Sequence, residues 1–385
     1  MHPALTALAQ SRPRLHAVTR GAQALGLAPH QMLHAGPPLA DPCRPPSPMV
    51  SSAVLGSLHE GWATDEAGAE ALLQGGRLPL SPAQALGCVT PLAALVTAGT
   101  PLFAVADGAG PMVHAPVSVV RGPDTRMGMR DPAVLGRLKL RDEFVAPALR
   151  ALLDATGPVD LWPLMAAGLA RGDDLHASTT HANAAWVDEL RRRGATKLAD
   201  EIAATPLFFL TLVMAACAAV LRSAEAAGAV GLVTRAGGNG ERFAIAGARQ
   251  PCAWVSCAAT APEGPRLPGV PAVRAIAGAI GDSAVIDLLG LGGQRPAQAP
   301  DLLALFGEPL AQELQAEPAE RVLCTPHPQL PQAWPLGLDA RHVLLHRQRP
   351  RVMLGMLASD GRHGLCGRGI YRPPLDLFEQ LLALP

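Results

Sequence analysis

Three short stretches hold the residue types that chemistry at a small-molecule site needs. Gly172-Asp173-Asp174-Leu175-His176 sets a carboxylate and an imidazole three residues apart, on one face of a helix. That spacing suits an acid/base pair or two metal ligands. No third ligand accompanies it, so no metal is expected, and an N-terminal helix cap beside an ordinary histidine is the simpler account. The run Arg235-Ala236-Gly237-Gly238-Asn239-Gly240-Glu241-Arg242 offers successive glycines whose N–H groups could close on an anion as a nest. A tight hairpin turn asks for the same residues. The run is neither a Walker A loop nor a dinucleotide fingerprint, so no nucleotide cofactor is expected. Gly281-Asp282-Ser283 precedes Gly290-Leu291-Gly292-Gly293. Asp282-Ser283 either caps a helix leading into Val285 and the residues after it, or forms a second anion-facing loop. His34 stands before the rigid Gly36-Pro37-Pro38 turn. No G-x-S-x-G, H-E-x-x-H or paired-cysteine signature appears.

The elements that must position these residues are those of a mixed, multidomain chain. Its 385 residues suffice for two or three domains. Lys+Arg and Asp+Glu both number 32, and charged residues make up only 17%. That balance gives no electrostatic footprint for nucleic acid or an anionic membrane. An apolar share of 49% excludes disorder, and 3% aromatics argue against a base-stacking surface. Seven scattered cysteines outline no disulfide framework, and MHPALTALAQSRPR lacks a basic region followed by an apolar one, so a cytoplasmic location is expected. The uncharged run 203–221 approaches bilayer length, but Ala, Thr, Cys and Pro fill half of it and Arg222 and Glu225 follow, which predicts a buried core helix.

Along the chain, residues 1–30 read as a helical lead-in. Helices are expected over 47–62 and 65–73, and strands over 101–106 and 112–120. Residues 133–204 carry helical periodicity almost throughout, broken at Gly157-Pro158, Gly172 and Gly194. A helix over 206–227 should feed a strand over 230–234. The expected class is α+β: an α/β domain over 1–130, a small all-helical domain over 131–204, and an α/β domain with glycine-rich loops over 205–385.

In chain order these blocks resemble one family, the AllG-like (YlbE-like) proteins, whose characterised member is a subunit of oxamate carbamoyltransferase. The resemblance is carried by Met32-Leu33-His34-Ala35-Gly36-Pro37-Pro38, Val159-Asp160-Leu161, Gly172-Asp173-Asp174-Leu175-His176 and Phe208-Phe209-Leu210. It continues through Gly238-Asn239-Gly240-Glu241-Arg242-Phe243, Ile280-Gly281-Asp282-Ser283-Ala284, Gly290-Leu291-Gly292-Gly293, Pro335-Leu336-Gly337-Leu338-Asp339 and Tyr371-Arg372-Pro373-Pro374. Departures mark a divergent member. Ser81-Pro82-Ala83-Gln84-Ala85-Leu86 replaces a histidine cluster of the family, Ala204-Thr205-Pro206 replaces a polar triplet, and Ser359-Asp360 replaces a His-Lys pair.

The resemblance implies two α+β domains flanking a helical one, and carbamoyl transfer in ureide breakdown. Implied partners are an acyl-CoA-synthetase-like subunit and other carbamoyltransferase subunits, a small anion of the oxamate or carbamoyl phosphate class, and further copies of the chain in a homo-oligomer. Asp173, His176 and Asn239 are then the catalytic candidates, with His176 oriented by Asp173 and Asn239 facing the carbonyl oxygen. His34, Gly238, Gly240, Glu241, Arg242, Asp282, Ser283 and Arg372 are the substrate-binding candidates, the two arginines because guanidinium pairs bidentately with carboxylate and phosphate. The alternatives are a non-catalytic or regulatory assembly subunit and a small-molecule-binding protein of another kind. Residues 237–240, 281–283 and 172–176 are expected to line one cleft.

Overall fold

The strand-forming stretches of this chain are short and interrupted by glycine, proline or bulges, so the sheets stay small. In the computed structural model, which describes residues 2–385, two four-stranded antiparallel sheets carry the architecture. The first runs β5 (Val113–Pro116), β4 (Pro101–Asp107), β1 (Pro13–Arg20), β6 (Val159–Asp160). Of the helical lead-in expected over residues 1–30, Pro3–Ala9 and Gly21–Leu25 are helical, but β1 lies between them. Its alternation is broken by a bulge between Leu15 and Ala17, and Arg14, His16 and Arg20 dilute its apolar face. β6 interrupts the helical stretch and pairs Val159 with Leu15.

The second sheet runs β10 (Ile280–Gly281), β7 (Val233–Asn239), β8 (Arg242–Gly247), β9 (Val255–Ala258). The strand expected over 230–234 is shifted and longer, so Gly237 and Gly238 sit inside it rather than in a turn. Only Gly240 and Glu241 remain between β7 and β8. Space explains these glycines. A Cβ on Gly238 would lie 2.1 Å from the Ala279 carbonyl oxygen, and one on Gly237 would lie 2.4 Å from Asp282 Oδ1. They permit close packing of neighbouring backbone, and no anion nest forms there. Smaller pairs are β2 (Met32–His34) parallel to β3 (Leu80–Pro82), β11 (Leu323–Pro326) with β12 (Pro335–Leu338), and β13 (Val352–Leu357) with β14 (Leu365–Tyr371).

Helices Ala133–Leu140, Ala146–Thr156, Trp162–Ala170, Thr180–Arg192 and Thr196–Ala203 account for most of the central stretch. The apolar helix runs from Leu210 to Ala226. It begins four residues later than expected because residues 206–209 form turns after Pro206. Leu212 and Val213 are fully buried, and the helix packs against β1, β4 and β5 as well as β7, so it joins both sheets to one core. A mixed α+β architecture results. Among the described residues no helix is long and apolar enough to cross a membrane.

Candidate functional site

Asp282 is the joint between the two halves of the chain. It is fully buried. Its Oδ1 accepts from the Gly36 N–H at 2.9 Å and Gln84 Nε2 at 2.7 Å, and its Oδ2 accepts from the Thr90 N–H at 3.0 Å. Burial pushes its carboxyl up to about 7, against the pull of those donors. Every lone pair it offers is committed to holding residues 36, 84 and 90 on the second sheet, so its role here is structural. Asn239 acts the same way. Its Nδ2 donates to the carbonyls of Pro37 (3.0 Å) and Pro38 (3.3 Å), and its Oδ1 accepts from the N–H groups of Glu241 and Arg242 at 2.9 and 2.7 Å. It faces no open space where a substrate carbonyl would lie.

Most of the remaining expected binding residues are likewise engaged within the chain, Ser283 excepted. Glu241 accepts from the Ala40 N–H at 3.2 Å, and exposed Arg242 donates to Ser256 Oγ at 2.8 Å. Gly240 turns the hairpin at φ 89°. Gly238 is interior to the sheet, opposite Phe243 and Gly281. Arg372 is paired with Glu313. His34 is buried, with Nδ1 2.8 Å from the Ala35 carbonyl and its pKa lowered by burial.

Asp173 does not orient His176. Its Oδ2 accepts from the N–H groups of His181 (2.9 Å) and Ala182 (2.8 Å), and its Oδ1 from Ser178 Oγ at 2.9 Å, which anchors the start of the helix Thr180–Arg192. His176 is held instead by Asp287, with Nδ1 2.8 Å from Oδ2. Asp287 is itself locked, because its Oδ1 accepts from the N–H groups of Gly293 at 2.7 Å and Met353 at 3.1 Å. Burial opposes charge on the imidazole, but the Asp287 carboxylate, its hydrogen bond and nearby Asp174 outweigh it, so the His176 pKa is raised. Nδ1 is occupied, which leaves Nε2 as the ring nitrogen free to act.

His176 and Ser283 share the wall of a pocket of about 60 Å³. Its other polar groups are Arg126 and Arg368, and Leu92, Leu210, Met353 and Leu365 supply much of the apolar wall. Arg126 is 6% exposed, and its Nε and one terminal nitrogen have no hydrogen-bond partner. Asp124 lies 3.7 Å from Nε, too far to accept from it. Ser283 stands at the start of the helix Ala284–Leu289, yet its Oγ caps nothing and is likewise buried without a partner. Backbone strain flanks the pocket. Leu92 and Leu175 adopt φ of 45° and 72°, a region that Cβ-bearing residues occupy at a cost of about 1–3 kcal/mol each.

A family model described as oxamate carbamoyltransferase subunit AllG matches residues 78–283, more than half of the chain. The chain belongs to the AllG family. It is similar to the oxamate carbamoyltransferase subunit AllG of Escherichia coli (strain K12), 29% identical over 371 residues, which cover 91% of this chain and 88% of that protein. The uncharacterized protein YahG of the same organism is 26% identical, over 98% of this chain and 84% of YahG. A crystal structure of a conserved protein of unknown function from Enterococcus faecalis V583 shares the fold, with a TM-score of 0.92, 22% identity, and coverage of 99% of this chain and 95% of that one.

In this AllG-family chain the stretch matched by the family model holds Arg126, His176 and Ser283, whereas Asp287 and Arg368 lie beyond it. Two guanidiniums and an imidazole, with no acidic residue among the described lining residues, give the pocket a basic lining. At ~10–15 Å³ per water-sized position, its volume holds about four to six such positions, the size of a small acid or acyl phosphate. Arg126, Arg368 and Asp287 were not singled out from sequence. For Asp287 a signal existed: it is the one charge in Ala284-Val285-Ile286-Asp287-Leu288-Leu289, four residues after Ser283. Arg126 had none, since its burial arises from contacts distant in sequence.

Proposed function

We propose that this chain is a divergent subunit of an oxamate-carbamoyltransferase-like assembly, and that the pocket around Arg126 and His176 receives its small anionic substrate, of the oxamate or carbamoyl phosphate class. The observation that carries the reading is Arg126. A buried guanidinium with unmatched donors is expensive unless a ligand completes it. The wall combines segments 91–127, 176–210 and 283–369, so the pocket lies where the three proposed domains meet, the usual place for such sites. Arg126 and Arg368 neutralise the anion, and His176, fixed by Asp287, moves a proton at the transferred group. The setting we infer is cytoplasmic ureide breakdown beside an acyl-CoA-synthetase-like subunit.

The test is carbamoyl transfer between carbamoyl phosphate and oxamate by the chain together with whatever subunits co-purify with it. Arg126→Gln should raise the KM for the anion at least tenfold, and His176→Gln should lower kcat by about 10²–10⁴. Full turnover in both variants would reduce the chain to an assembly subunit.

A further inference from the structure

We propose that Ser283 is the nucleophile of this pocket and carries the carbamoyl group as a covalent ester during transfer; this rests on the carbamoyl-transfer reading above. Ser283 is 2% exposed, lines the pocket, and its Oγ has no hydrogen-bond partner although it occupies a helix-cap position where a hydroxyl ordinarily finds one. A buried hydroxyl without a partner, on a residue that lines a cavity, calls for a partner from the ligand.

Its surroundings supply what a serine nucleophile needs. Ser283 and Asp287 are four residues apart on one helical turn, so their side chains rise on the same face. Asp287 grips Nδ1 of His176, and the imidazole lines the pocket that Ser283 also lines. Serine, histidine and aspartate thus fall in the functional order of a nucleophile, a base and the group that orients the base. The strand-to-helix turn that presents Ser283 is held rigidly, because β10 ends in Gly281 at φ 125° and Asp282 is bound by donors from residues 36, 84 and 90. Asp287 is a positioning residue, not a contact to substrate.

The steps balance without any further reagent. Ser283 Oγ bonds to the carbamoyl carbon of carbamoyl phosphate while Nε2 of His176 takes the hydroxyl proton. The carbon–oxygen bond to phosphate breaks, and phosphate leaves with the electron pair and accepts that proton. An amide nitrogen of the oxamate class then bonds to the same carbon and gives its proton to His176. The bond to Oγ breaks, and the serine oxygen recovers the proton.

The experiment is acid quenching of the assembly as purified, after mixing with carbamoyl phosphate labelled in the carbamoyl carbon and before oxamate is added. The expected result is about one label per chain on the peptide containing Ser283, discharged on adding oxamate at least as fast as steady-state turnover. Ser283→Ala should lose the label and about a thousandfold in kcat while still binding phosphate by calorimetry, which shows that the pocket is folded. Ser283→Cys should take up label again. Asp287→Asn should move the pH dependence of labelling, which a merely structural role would not do. Turnover without label, label on another residue, or a labelled serine that does not discharge would each overturn the nucleophile and leave the anion pocket standing. Absence of both transfer and phosphate binding in the wild type would overturn the pocket reading itself.

Discussion

Replacing Arg126 by methionine separates a ligand-binding guanidinium from a structural one. Methionine keeps the unbranched apolar stem, and the Arg126 backbone N–H keeps its 2.8 Å bond to Asp124 Oδ1. What is lost is the attraction to Asp124 across 3.7 Å, about 4 kcal/mol at an effective dielectric of about 20. Against it stand two unmatched buried donors at ~1–3 kcal/mol each and a further several kcal/mol for dehydrating the cation. The ligand-free variant should therefore be at least as stable as the wild type, to within about 1 kcal/mol. At ~2.1 cal/mol/K per residue this chain needs about 0.8 kcal/mol per degree, so Tm should stay within about 1–2 °C or rise. An anion at a hundred times its Kd adds ~2.7 kcal/mol, or about 3 °C, to the wild type. The variant should gain nothing. Thermal scanning with and without oxamate or phosphate reads both effects. A ligand-free variant that melts 4 °C or more below the wild type, or one that keeps the anion shift, would refute the reasoning.

Other substitutions probe the scaffold and the proton path. In the wild type the base form of His176 exists only above its raised pKa, so the acidic limb of kcat should lie above the ordinary histidine value, and Asp287→Asn should move it to lower pH. Stability should follow the same linkage: the raised pKa stabilises the fold below the ordinary value and that gain is lost as pH rises through the folded value, so Asp287→Asn should cost more at pH 6 than at pH 9 in denaturant titrations. Asn239→Ala should cost about 2–4 kcal/mol through its lost contacts to residues 37, 38, 241 and 242, with the KM of the surviving enzyme unchanged. Arg242→Ala, on the exposed hairpin, should alter neither KM nor stability by more than a small factor, measured by steady-state kinetics and thermal melting. Gly238→Ala should prevent stable folding at physiological temperature, because its Cβ would collide with the Ala279 carbonyl.

Periodicity alone was enough to place the long buried helix, the helices of residues 133–203 and the strand at 101–107, since each has an apolar pattern longer than any interruption. It failed at β1, where a bulge resets the alternation, and at Gly237-Gly238, where glycine serves close packing within a strand. The site was half legible. His176 and Ser283 stand in short polar blocks that attract attention, and both line the pocket. Asp173, Asn239 and Asp282 stand in the same blocks, but their polarity is consumed by backbone groups, those of residues 181 and 182 for Asp173 and distant ones at 36 and 37 for Asp282 and Asn239. Arg126 and Arg368 show the converse. Nothing local distinguishes them from other arginines, and only the tertiary fold brings both to the pocket wall.

A crystal structure of the chain with oxamate bound would test the central claim most directly. The oxamate carboxylate should lie within hydrogen-bond distance of Arg126, with its amide end towards His176 and Ser283. Oxamate seated instead at the Gly240-Glu241 hairpin turn beside Arg242, with the Arg126 pocket empty at saturating ligand, would contradict it.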